Sequence, residues 1–447
     1  MKQRVVLLPG RGPEVRTVEV PVKVLRTTRK SITHIAVGAT LITALTVTSG
    51  AWADVGSERW GRSWSNHDRL YGSYDRSLTR SWEAQLPVGH PTLSKSNLAP
   101  LSAAIKQYQA IVASGGWQPI PMLRLKQGTR HRAVVLLRRR LELTRDLPPS
   151  GRQSARYDHR VSEGVRRFQA RHGLKATGVL DKSTILALNV PAKARLQQLK
   201  TNLARLRKHS RSAAKKYVVV NIPAAQIEAV ENDHVVSRHA AVVGKVDRQT
   251  PILRSHIHQI NFNPYWNIPQ SIVRKDLVPK ARLYAHRGKD ILSEYRIDAF
   301  KGAKKLDPRR INWSSPAVYS YRYRQEPWKD NSMGFVKINF HNAHSVYMHD
   351  TPSKSLFARN FRAHSSGCIR VQNVKQLVAW LLQPNGGWDI GQVAQLEQNG
   401  VRKDVSLKRR VPVYFVYVTA WATKNGVVNF RRDIYGRDRV GATASAY

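Results

Sequence analysis

Cysteine is almost absent: the 447 residues contain one, Cys368. An intramolecular disulfide is thereby excluded, and with it a small scaffold held together by disulfides. Histidines are scattered and no Cys/His cluster has metal-ligand spacing, so neither a metal site nor a cofactor is expected. Acidic side chains are scarce too, with 29 Asp and Glu against 75 Lys and Arg, leaving a formal charge of +46. Such an excess suits polyanionic surroundings: nucleic acid, anionic lipid headgroups or an acidic cell-wall polymer. The basic residues run along most of the chain without a zinc-finger, homeodomain or RRM signature, which argues against a dedicated nucleic-acid binder. Internal repeats and low-complexity tracts are lacking as well. A chain of this length is expected to form more than one domain, each with a substantial core.

One long stretch free of charge stands out, Ser31 to Ala53, running through Ile35-Ala36-Val37 and Leu41-Ile42. Lys23, Arg26, Arg29 and Lys30 precede it and Ala51-Trp52-Ala53 closes it. Positive flank, apolar middle and A-x-A exit describe an export signal with a cleavage site before Asp54. The run is also nearly long enough to span a bilayer, so an uncleaved membrane anchor is the alternative. In either case residues 1–30 form a basic leader that stays in the cytoplasm, and everything after Ala53 is translocated to the periplasm.

Residues 54–96, rich in Ser, Arg, Gly and Trp, read as a flexible tether. A scaffold helix opens at Leu98 and ends at Gly115-Gly116, with Trp117 to Met122 as connector, giving a segment over 97–122. A compact three-helix module is expected over 123–191. Val134 to Leu143 makes one helix, Tyr157 to His172 a second stopped by Gly173, and Asp181 caps a third ended by Pro191. Leu196, Leu199, Leu203 and Leu206 put one apolar stripe on a linking helix over 192–215. The period then changes to that of strands, at 217–222, 226–230, 235–243, 256–262, 335–340, 345–348 and 413–419. The resulting mostly-β domain is assigned to 216–383, with a polar, irregular insertion over 272–328, helical in part around Arg274 to Leu283, that reads as a lid. Residues 384–447 are assigned as a C-terminal extension with strands.

Cys368 sits in His364-Ser365-Ser366-Gly367-Cys368-Ile369-Arg370-Val371. A free cysteine commonly acts as a small buried hydrophobe. Here Ser and Gly precede it, giving a tight turn that exposes a nucleophile and frees backbone N–H groups to hold an oxyanion. Export makes an unpaired thiol unusual. A thiol nucleophile needs a base, and His341, His344, His349 and His364 are the nearby imidazoles. His349 lies directly after the expected strand Ser345 to Met348. Tyr347 and Trp266 either line a pocket or belong to a core. Asn342 is a further candidate for a pocket hydrogen bond.

The runs Val346-Tyr347-Met348-His349-Asp350-Thr351-Pro352 and Ser365-Ser366-Gly367-Cys368-Ile369-Arg370-Val371 resemble the catalytic core of L,D-transpeptidases of the YkuD type. Val242-Val243-Gly244-Lys245, Arg248-Gln249-Thr250-Pro251 and Asn263-Pro264-Tyr265-Trp266 extend the resemblance. It is closest to the large periplasmic branch, whose active site is covered by a lid. Val165-Arg166-Arg167-Phe168-Gln169 and His172-Gly173-Leu174 resemble the small peptidoglycan-binding fold that accompanies that branch, and residues 411–436 resemble its C-terminal strands. Where many members carry His before the Gly-Cys pair, this chain has Ser366, which removes that position as a base.

The resemblance implies a multidomain α+β protein, a mostly-β catalytic domain behind a three-helix module. It implies Cys368 as nucleophile, His349 as base and proton donor, and the amides of Ser366, Gly367 and Cys368 as oxyanion donors. Arg370, Tyr347, Trp266 and Asn342 are then the substrate-binding candidates. The implied reaction cross-links peptidoglycan stem peptides 3→3 through a thioester. Water as acceptor gives an L,D-carboxypeptidase, and a protein or D-amino acid gives attachment by the same chemistry. A non-catalytic peptidoglycan-binding wall protein is the alternative outside enzymology. Stem peptides and an anionic membrane surface are the expected partners, and nucleic acid is not.

Overall fold

The computed structural model describes residues 89–149, 151, 153–211 and 213–439. The expected leader, the 31–53 segment and the tether up to residue 88 lie outside these residues. Among the described residues no helix is long and apolar enough to cross a membrane.

Helix α1 (Leu98–Ala113) precedes the three-helix module formed by α2 (Ala133–Leu143), α3 (His159–Arg171) and α4 (Lys182–Leu188). Asp158 and Asp181 cap α3 and α4 by accepting from the N–H groups of Val161 and Thr184. Leu137, Leu141, Val161, Val165, Phe168, Ile185 and Leu188 fill the module's core. The module is fastened to the rest of the chain through Arg171. This side chain pairs with buried Asp146 at 2.5 Å and donates to Val428 O at 3.1 Å. Arg431 donates back to Arg171 O at 2.9 Å.

Helix α5 (Ala192–Ser210) leads into strands β1 (Lys216–Asn221), β2 (Gln226–Glu231), β3 (His234–Gly244) and β4 (Leu253–Phe262). The lid follows as β5 (Trp266–Asn267), α6 (Gln270–Ile272), a π-turn Val273–Leu277, α7 (Val278–Ala285), α8 (Ile291–Glu294), β6 (Ile297–Lys301), β7 (Lys304–Lys305) and β8 (Arg322–Gln325). The chain then returns through β9 (Val336–Phe340), β10 (Met348–His349), β11 (Ala363–Ser365), β12 (Ile369–Val371), α9 (Val374–Leu382), α10 (Ile390–Asn399), β13 (Lys403–Val416), β14 (Ala420–Ala422) and β15 (Val428–Phe430).

The main sheet has the order β11-β3-β12-β10-β9-β4-β13-β1-β2, and a further β2–β3 pairing closes it on itself. β3 supports the closure because it is long. Its first part pairs with β2, while Ala241 and Val242 pair with β12 and Val243 with β11. The middle of strand β1, Tyr217 to Val220, is apolar because both faces are covered. Val218 and Val220 join the core inside the sheet with Phe262, Ile338, Met348, Ile369 and Phe415. Tyr217 and Val219 pack outward with Leu101 and Tyr108 of α1 and Leu199 and Leu206 of α5.

Three expectations are corrected. Residues 91–94, assigned to the flexible tether, are docked: Thr92 N–H and Oγ1 reach the Glu228 carboxylate at 2.8 and 3.0 Å, and the Tyr217 hydroxyl donates to Leu93 O. The lid is not irregular, for β5-β8-β6-β7 form a sheet of their own. It encloses Val273, Leu277, Leu292, Ala299, Trp313 and Tyr323. The boundary at 383 cuts through the main sheet, because β13 lies between β4 and β1 and begins ten residues ahead of the expected strand at 413.

Burial of His239 in β3 couples this fold to pH. Its ring faces Gln372 O and Ser237 Oγ, both at 2.9 Å, and burial lowers its pKa from 6.5 to about 4. Between these values the unfolded chain binds a proton that the folded chain refuses, so stability present above pH 6.5 is lost as the pH falls toward 4. The loss amounts to about 3 kcal/mol for this residue alone. Urea titrations at pH 7 and pH 4.5 should show the midpoint falling, with a smaller fall for His239→Gln. Equal slopes in the two proteins would remove His239 as the cause.

Candidate active site

Strands β10 and β12 run parallel, with Met348 opposite Ile369 and His349 opposite Arg370. Ile369 N–H donates to Tyr347 O at 3.0 Å and so extends the pairing by one residue. Met348 and Ile369 are in the core within the sheet. Side chains alternate along a strand, so Tyr347, His349, Cys368 and Arg370 share the opposite face. These four line a cleft of about 360 Å³ together with Trp266, Ser365, Ser366 and the lid residues Gln270, Ile272 and Asp276.

The turn carrying Cys368 needs glycine. Gly367 has φ +116°, a conformation that side-chain-bearing residues rarely adopt. Ser365 Oγ donates to Cys368 O at 2.6 Å and accepts from Gly367 N–H at 3.2 Å. Thr250 Oγ1 donates to Gly367 O at 2.8 Å. Of the three amides expected to serve an oxyanion, that of Gly367 is therefore directed at Ser365, and those of Ser366 and Cys368 remain the candidates.

His349 is buried, and its Nδ1 lies 2.5 Å from Asp350 O. A carbonyl can only accept, so Nδ1 carries the proton and Nε2 keeps its lone pair. Burial, with the charges of Arg370, Lys337 and Lys354, lowers the His349 pKa from 6.5 to about 3. Asp350 in turn accepts from Phe335 N–H at 3.2 Å and pairs with Lys354, which braces the end of β10. Burial pushes the Cys368 thiol up, against hydrogen bonds from the Tyr347 N–H and hydroxyl and the nearby charges of Lys337 and Arg370. Both shifts favour the uncharged forms of thiol and imidazole. A thiol and an imidazole whose Nε2 is unprotonated thus line the same cleft.

Trp266 Nε1 donates to the Tyr347 hydroxyl at 3.2 Å, so both aromatics belong to the cleft wall, and Trp266 also joins the lid core. Asn342 does not line the cleft. Its amide donates to Phe340 O and Val346 O, and its carbonyl accepts from His344 and Val346 N–H, which closes the loop 340–346 on itself. That closure also shortens the expected strand 345–348 to β10, with Ser345 at φ +53°. Of the other imidazoles, His341 stacks on His258 at 4.1 Å and His364 bonds to Phe361 O at 3.1 Å, while His344 is exposed on the cleft wall.

Sequence reasoning missed Lys337, whose ammonium lies over the Tyr347 ring at 4.5 Å and directly opposite His349 in register. The signal was the alternation Val336-Lys337-Ile338-Asn339-Phe340, which puts Lys337 on the cleft side of β9. Among the described residues no group of three or more His, Cys, Asp or Glu is gathered as metal ligands would be.

Residues 215–413 match the family model described as "L,D-transpeptidase catalytic domain" (YkuD), and residues 130–188 match "Putative peptidoglycan binding domain". A relative from Haemophilus influenzae named "Putative L,D-transpeptidase" is 31% identical over 224 residues, covering 50% of this chain and 44% of the relative. The chain thus spans less than half the length of that relative. An L,D-transpeptidase from Mycobacterium smegmatis aligns at 14% identity over 46% of this chain and 59% of its own, with a TM-score of 0.23. One from Stackebrandtia nassauensis aligns at 12% identity over 69% and 98%, with a TM-score of 0.26. A stretch at 130–188 that matches the peptidoglycan-binding model thus precedes one at 215–413 that matches the YkuD model of L,D-transpeptidase catalytic domains.

Proposed function

We propose that the protein transfers acyl groups between peptidoglycan stem peptides, joining diaminopimelate residues of neighbouring stems by 3→3 links. The observation that carries this reading is the placement of Cys368 and His349 on one face of adjacent strands in a single cleft, with Nδ1 fixed by Asp350. In the first half-reaction the Cys368 sulfur attacks a stem carbonyl while its proton passes to His349 Nε2. The tetrahedral oxyanion faces the Ser366 and Cys368 amides. Collapse returns the proton to the departing amine of the terminal D-residue and leaves a thioester. An acceptor amine then attacks the thioester, gives its proton to His349 and restores the thiol. Arg370 suits a stem carboxylate, since a guanidinium pairs bidentately with such a group. The module at 130–188 would hold the glycan polymer close by, and the charge of +46 would concentrate the enzyme at acidic wall and membrane surfaces outside the inner membrane.

Purified protein incubated with disaccharide-tetrapeptide should yield cross-linked dimers by mass spectrometry. Accumulation of tripeptide alone would assign the protein as a carboxypeptidase. Failure to form any covalent adduct with substrate or a carbapenem would leave it a wall-binding protein.

A further inference from the structure

The loop between β3 and β4, residues 245–252, lies beneath the nucleophile turn. Lys245 N–H donates to Ser365 O at 2.9 Å, and Thr250 Oγ1 holds Gly367 O. The loop folds back so tightly that a Cβ on Gly244 would lie 2.2 Å from Arg248 O, so only glycine fits there. From this loop Arg248 reaches in two directions. Its guanidinium forks onto the Asp276 carboxylate, with Nη2 to Oδ1 at 3.0 Å and Nη1 to Oδ2, while Nη1 also donates to Ser366 Oγ at 2.9 Å. Asp276 belongs to the π-turn Val273–Leu277 of the lid and stands in the cleft wall. Both partners are largely shielded from solvent, with side-chain exposures of 15% and 23%, so the pair is screened less than a surface bridge. Ser366 in turn supplies one of the two candidate oxyanion amides.

We propose that Arg248 is a positioning residue that ties the lid to the nucleophile turn, so that the lid carboxylate Asp276 sets the placement of the Ser366 and Cys368 amides. This deepens the acyl-transfer reading and rests on it for its biological purpose. The lid then does more than cover the cleft: docked through Asp276 and Arg248, it organises the donors that stabilise charge in the transition state. An ordinary structural ion pair would hold the lid in place without distinguishing one reaction of the thiol from another.

Two small reagents separate these cases, because Cys368 is the only thiol in the chain. Acylation by p-nitrophenyl acetate passes through a tetrahedral oxyanion and expels p-nitrophenolate, leaving an S-acetyl cysteine. Alkylation by iodoacetamide displaces iodide directly and builds no oxyanion. In the full chain, Asp276→Asn and Arg248→Met should slow acylation about tenfold, short of the ~10²–10³-fold cost of removing an oxyanion donor outright. Alkylation should stay within about twofold in the same proteins, which also reports that the cleft is intact. Arg248→Lys should recover part of the acylation rate, because an ammonium can meet one partner and cannot fork. Equal changes in both rates, or unchanged acylation in Asp276→Asn, would overturn the proposal. The ratio of rates does not depend on stem peptides. Absence of cross-linking would therefore defeat the proposed function and leave this test standing.

Discussion

Cys368→Ala is expected to abolish both the covalent adduct and the cross-linked product, a loss on the order of 10⁴–10⁶-fold in acyl transfer. The size follows from the chemistry, since no other thiol exists to take over and a methyl group has no sulfur with which to form a thioester. The fold should hardly notice. Only one sulfur atom at the cleft wall is lost, so stability should stay within about 1 kcal/mol of the parent. Mass spectrometry of the protein after exposure to donor peptide, alongside a thermal melt, checks both halves. Residual transfer above a few per cent in a correctly folded Cys368→Ala protein would move the nucleophile elsewhere.

His349→Asn should lower acyl transfer by about 10²–10⁴-fold, the range for loss of a positioned general base. Asn is the informative replacement because its amide nitrogen can still donate to Asp350 O, as Nδ1 does now, while the Nε2 lone pair disappears. The pH dependence carries a second signature. With the thiol raised and the imidazole held down to about pH 3, the parent should show alkylation by iodoacetamide climbing only on the alkaline side. A stored thiolate–imidazolium pair would instead give a plateau across neutral pH. In His349→Asn the alkaline climb should persist, since it belongs to Cys368, while transfer at neutral pH collapses. A neutral plateau in the parent would mean that the proton rests on His349 before substrate arrives.

What the sequence made legible follows how its information is arranged along the chain. The tight turn before Cys368 could be read because Ser365, Ser366, Gly367 and Cys368 are contiguous and glycine permits the positive φ found there. His349, Tyr347 and Arg370 were singled out by the resemblance and by position, and the structure places all three along one cleft. Arg248 and Asp276 could not be paired, because each looks like an ordinary charge in its own segment and the fork exists only once the lid is docked. The lid core was hidden for a related reason. Trp313, Val318 and Tyr323 are separated by polar residues and short 3-10 turns, so they show neither a helical nor a strand period. The start of β13 was missed because Lys403, Asp404, Lys408, Arg409 and Arg410 occupy exposed positions and a register shift interrupts its pairing with β4. Asn342 was misread because an Asn that closes its own loop looks, in sequence, like an Asn that faces a ligand.

The position of β13 also constrains how this protein comes into being. β1, the first strand of the ring, has one neighbour it can meet early, β2, and must wait for Val413 to arrive beside Val218 on its other edge. β4 waits for the same strand. Closing so long a loop before any pairing rewards it makes for slow folding, and meanwhile two strand edges lie open to other chains. Shortened forms ending before Lys403 would contain the entire Ser365–Cys368 turn and still lack the strand that completes the ring around it. Such forms are predicted to aggregate, with a thiol that behaves like one in an unfolded peptide.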